Sequence, residues 1–73
     1  MTEEEKISRI EEAIGLETGA LTPETDLGAL RMWDSVGKLF LLSMIKKEFG
    51  RDVDPSVIRG FKTVAEILLE MRE

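Results

Sequence analysis

The chain contains neither cysteine nor histidine. Without cysteine there is no disulfide framework and no thiolate metal site. Without histidine the commonest general base near neutral pH is missing, along with the commonest zinc or iron ligand. Long apolar runs are missing too. The longest apolar-rich stretch, Leu39 to Ile45, is far too short to cross a bilayer, so no membrane span is expected. Positive charge is scarce: 10 Lys and Arg against 15 Asp and Glu leave a net charge of −5, with a pI near 4.7. An acidic surface repels phosphate backbones and anionic membranes, which argues against a nucleic-acid partner and leaves basic proteins as plausible ones. The acidic N-terminus lacks the basic start and apolar run of an export signal, so a cytoplasmic location is the expectation. The 73 residues suffice for one small domain, taken as residues 1–73.

What is present is helical patterning. Thr2 followed by Glu5 reads as a capping box. Ile7, Ile10 and Ile14 then mark one helical face, which Gly15 ends, predicting a first helix over about 3–14. Residues 15–34 carry turn chemistry at Gly15, Gly19, Thr22-Pro23-Glu24-Thr25 and Gly28. Yet Leu16, Leu21, Leu27, Leu30, Met32 and Trp33 make this stretch too apolar for a solvated linker, and a long ordered loop packed on the bundle is predicted. Asp34 suits an N-cap for a helix from Ser35 to Phe49, with Gly50 as its stop. Asp54-Pro55 opens a short helix that closes at Gly60, and Thr63 with Glu66 opens a last helix with Val64, Ile67, Leu68 and Met71 on one face. The expected fold is all-α: three main helices and one short one, with a long ordered loop between the first and second.

Candidate chemistry is sparse. The serines are Ser8, Ser35, Ser43 and Ser56, and none has a histidine base. A Ser35–Lys38 nucleophile pair is conceivable on one helix face, against the plainer reading of a solvated lysine. Glu3, Glu4, Glu5, Glu11 and Glu12 are expected on a water-facing side of the first helix rather than as a catalytic acid pair. Ser35, at a helix start after a long loop, should expose its hydroxyl where backbone amides and the helix dipole favour an attached phosphate. The alternative is that Asp34 is only a cap and Ser35 only a first-turn residue. Trp33 and the loop leucines are expected to be structural.

Taken with its surroundings, Trp33-Asp34-Ser35-Val36 resembles the attachment motif of the acyl carrier protein family. The likeness continues through Glu48-Phe49-Gly50, Val53 and Lys62-Thr63-Val64, and upstream through Leu21-Thr22-Pro23-Glu24-Thr25-Asp26-Leu27, so that it covers nearly the whole chain. The chain departs from the family in having Met32-Trp33 where Gly-Ala is common and Val36 where Leu is usual. It also has Gly37, Phe40, Lys46 and Lys47 where the family's second helix is acidic, with Glu48 retained. The Ser35-Val36-Gly37 start looks more like D-alanyl carriers and other stand-alone specialised carriers.

The resemblance implies a monomeric carrier, not an enzyme. A phosphopantetheinyl transferase would place 4'-phosphopantetheine from coenzyme A on Ser35, with Asp34 as the partner residue of the motif. The arm's thiol would hold acyl or aminoacyl groups as thioesters for loading and transfer enzymes. It further implies that Ile58 and Phe61 flank the arm, and that Val36, Phe40, Ser43 and Lys47 form an outward partner surface. Periodicity alone leaves open that Phe40, Ile58 and Phe61 are core residues, and that the chain is an unmodified, carrier-shaped interaction domain.

Overall fold

A computed structural model of the protein describes residues 1–72. The described residues form four helices: α1 (Glu3–Ile14), α2 (Ser35–Phe49), α3 (Pro55–Gly60) and α4 (Val64–Glu70). A short 310 turn at Leu27–Ala29 interrupts the long loop. No strand occurs among the described residues, and no helix is long and apolar enough to cross a membrane.

Local chemistry sets the helix ends. The Thr2 hydroxyl accepts the Glu5 amide and the Glu5 carboxylate accepts the Thr2 amide, both at 3.1 Å, and start α1. Left-handed glycines, Gly15 at φ 83° and Gly50 at φ 68°, end α1 and α2. Asp54 caps α3 through the Ser56 amide at 2.8 Å. Before α4 the Glu66 carboxylate reaches back to the Lys62 and Thr63 amides at 2.6 and 3.0 Å. These backbone hydrogen bonds hold the Glu66 carboxyl below its ordinary range. The all-α class holds, although α4 is barely longer than α3. Its apolar face runs on into Met71, which caps the helix while remaining fully buried.

The core is shared between helices and loop. Ile10 and Ile14 come from α1, Leu41 and Ile45 from α2, Ile58 from α3, and Val64 and Ile67 from α4. Leu21 and Leu27 come from the loop. A domain this small buries little, so loop side chains count as much as helical ones. α2 packs along α1 and against α3, while α1 also meets α4.

The loop is fastened by backbone hydrogen bonds as well as by its leucines. The Leu27 amide donates to the Lys62 carbonyl at 2.8 Å, and the Ala65 amide to the Pro23 carbonyl at 2.9 Å. The loop thereby lies along the corner before α4. Two corrections to the sequence reading arise here. Glu11 does not face water: it is 2 % exposed, and its Oε2 accepts the amides of Gly19 and Leu21, each at 3.0 Å. A buried carboxylate is tolerated when such donors satisfy it. Met32 is not packed inward but is 41 % exposed, whereas Leu16, Leu30 and Trp33 lie half-buried against the core.

Truncating Glu11 removes the acceptor of two loop amides, of which that of Leu21 is buried. Glu11→Ala is expected to cost about 1–3 kcal/mol in urea unfolding, and Glu11→Gln, which keeps an acceptor oxygen, less. Equal stability of the parent and the alanine variant would show that the carboxylate does not hold the loop.

Candidate functional site

The end of the loop delivers Ser35 to the first turn of α2. Asp34 is extended, and its Oδ1 accepts the Gly37 amide at 2.8 Å. Its carbonyl accepts the Lys38 amide at 2.9 Å. The first amides of a helix lack intrahelical partners, so this N-terminus retains a partial positive charge. Ser35 is the first helical residue and is exposed.

Gly37 explains how the loop reaches this point. It is buried, and a Cβ built on it would overlap the Met32 carbonyl oxygen. The loop backbone therefore crosses directly over the first turn of α2, at a closeness only glycine permits. The sequence places Gly37 in the Ser35-Val36-Gly37 start and at a position without an acid, and neither reading anticipates this crossing. Glycine is a poor helix former, and its place just inside the start of α2 was the available signal.

Beside Ser35 a cleft of about 270 Å³ opens between α2 and α3. Ser35 and Lys38 lie on one side, Leu39, Leu42 and Ile58 form apolar walls, and Arg59 stands on α3. Ile58, 1 % exposed, is both a core residue and part of this cleft. Phe61 is 9 % exposed and belongs to the core, not to the cleft lining. Of the two residues, Ile58 lines a cleft that Ser35 also lines. The Lys38 ammonium lies 5.5 Å from the centroid of the Trp33 ring, a cation–π contact. No hydrogen bond joins Ser35 to Lys38 among the described residues. Half-buried Trp33 packs against the core, in keeping with a structural role at the edge of the site.

The other serines are set differently. Ser56 donates its hydroxyl to Asp54 at 2.7 Å, Ser8 is half-buried in α1, and Ser43 is exposed in mid-α2. Val36, Phe40, Ser43 and Lys47 are all exposed along α2, while Gly37, Leu41 and Ile45 turn inward. Phe40 is 56 % exposed, which removes the alternative that it is a core residue. Leu39, 61 % exposed, extends the same apolar surface toward the cleft, a residue the sequence reading did not single out. Among the described residues no cluster of acids could hold a metal ion. No protein-family model matches the chain, and neither a curated protein nor a solved structure does.

Two substitutions separate scaffold from surface. Gly37→Ala should cost about 1–3 kcal/mol, as overpacking does, whereas Phe40→Ala should stay within about 0.5 kcal/mol of the parent, as exposed changes do. Chemical denaturation of both checks this; a Phe40→Ala protein that unfolds would mean that the aromatic ring supports the core.

Proposed function

We propose that the protein is a carrier, bearing a 4'-phosphopantetheine arm on Ser35 and passing thioester-bound acyl or aminoacyl groups between partner enzymes. The observation that carries this reading is the setting of Ser35. It is an exposed hydroxyl at the start of a 15-residue helix, at the edge of an apolar cleft, with Lys38 and Arg59 beside it. No other serine of the chain combines these features.

The residues present fit such a group. A phosphodiester on the Ser35 Oγ would lie at the positive end of α2, beside a cleft that Lys38 and Arg59 also line. The Leu39, Leu42 and Ile58 walls offer apolar shelter to whatever follows the phosphate. The arm contributes a thiol, a nucleophile that a cysteine-free chain cannot supply. In attachment, the Ser35 oxygen forms the new bond to phosphorus and loses its proton to a base of the transferase. The phosphoanhydride bond to the nucleotide half of coenzyme A breaks. The chain itself needs no catalytic base, consistent with its lack of histidine. Its tasks are to present Ser35 on a fixed helix start and to offer a docking face. A cytoplasmic location and monomeric state form part of the same proposal.

The exposed apolar surface of α2 also suits an interaction domain that is never modified. The two readings separate on one experiment. Incubated with coenzyme A and a transferase of broad specificity, the parent and Ser43→Ala proteins should each gain the mass of one phosphopantetheinyl group, and Ser35→Ala none. A gain by Ser35→Ala would move the site elsewhere, and no gain by any of the three would favour the unmodified domain.

A further inference from the structure

A depression of about 260 Å³ lies between α1 and the start of the long loop, and it shares no residue with the Ser35 cleft. Glu4, Ile7, Ser8 and Glu11 bound it from α1, with Gly19 and Leu21 from the loop. At the helical period the four α1 positions fall within one arc.

Glu11 gives this depression its chemistry. The side chain is 2 % exposed, and its Oε2 is engaged by the Gly19 and Leu21 amides. Its Oε1 accepts no hydrogen bond among the described residues. That oxygen is not sealed in either. Among the described residues, the one fully enclosed side-chain polar atom without a partner is the Arg51 Nε. Glu11 Oε1 therefore opens into the depression that its own side chain lines. A largely buried carboxylate oxygen attracts a hydrogen-bond donor strongly, and a cationic donor most of all.

The surroundings favour a cation further. Glu4 stands at the other end of the arc, exposed and without an ion pair among the described residues. No lysine or arginine bounds the depression. The two cations of α1 are engaged elsewhere, Lys6 at the Phe49 ring and Arg9 with Glu48. Ile7 and buried Leu21 contribute apolar surface, and half-buried Ser8 a hydroxyl. A ligand that reaches Glu11 past Ile7 and Leu21 needs an apolar stem ending in a positive charge.

We propose that this depression receives a lysine side chain of a basic partner protein. The methylene stem packs on Ile7 and Leu21, and the ammonium donates to Glu11 Oε1, with the Ser8 hydroxyl as a second acceptor. Arginine suits the site less. A guanidinium fork is held best by two free carboxylate oxygens, and Glu11 offers one. The net charge of −5 steers a basic partner toward the chain. The proposal goes beyond the carrier reading and does not rest on it. Neither Ser35 nor an arm takes part, so unmodified protein tests it, and its failure leaves the modification of Ser35 untouched.

The probe is an acetylated and amidated pentapeptide with one lysine among alanines, titrated at low ionic strength into isotope-labelled protein by NMR. Saturable shifts are expected at the amides of Ser8, Glu11, Gly19 and Leu21. The same peptide with arginine should bind more weakly, and the same peptide with acetylated lysine should not bind. Glu11→Gln keeps an oxygen for the loop amides but removes the charge, and should weaken binding at least about tenfold. Glu4→Lys changes an exposed side chain that leaves the fold intact, and should weaken binding about threefold. It decides the matter even where Glu11→Gln loosens the loop. No saturable shifts, shifts centred outside the depression, equal binding of the arginine or acetyl-lysine peptide, or parent-like affinity in Glu4→Lys would overturn the proposal.

Discussion

The carboxylate of Glu11 is the buried charge around which the first half of the long loop is organised. It is nearly inaccessible to water and accepts two loop amides, from Gly19 and Leu21. An ionised group in such a position is costly unless fully hydrogen-bonded, which makes the arrangement demanding in both directions. The helix must present the carboxylate at one point, and the loop must bring its amides there. Once it does, Leu21 enters the core, and the chain continues to Leu27, whose amide is tied to the corner before α4. The loop is thus a structural layer of the domain, equal in rank to its two short helices.

That construction determines what Ser35 can be. The loop ends by crossing the first turn of α2 at Gly37, where Met32 contributes its carbonyl and leaves its side chain outside. Asp34 then closes the helix start, and Ser35 follows as an exposed residue on a rigid element. A hydroxyl held in this way is accessible to a modifying enzyme while its backbone stays ordered. An attachment point benefits from both properties: access for the reaction, and a fixed origin for a long flexible arm. The cleft between α2 and α3 opens beside Ser35.

Much of this was legible in the sequence wherever the determinant was local. Thr2 with Glu5, Asp34, Asp54-Pro55, Gly15 and Gly50 act within one turn of the chain, and the helices begin or end where those residues predict. Glu11 was misread because its identity outweighed its position. It lies four residues after Ile7 and three before Ile14, inside the apolar arc of α1, and that placement was the signal of burial. The faces of α2 were ambiguous because apolar residues occur almost all round it. Only packing against α1 and α3 distinguishes buried Leu41 from exposed Leu39 and Phe40. That Phe61 joins the core while Ile58 lines the Ser35 cleft as well likewise depends on how the corner between α3 and α4 folds, and no spacing along the chain encodes that.

The account stands on Ser35 being an attachment point in the living cell and not merely an accessible hydroxyl. Protein purified from its native source, digested and fragmented in a mass spectrometer, addresses this directly. The account predicts a phosphopantetheinyl group, with or without a thioester-bound cargo, on the peptide that contains Ser35, with fragment ions assigning it to that residue. Ser35 found wholly unmodified in protein from cells grown under conditions that express it would contradict the account.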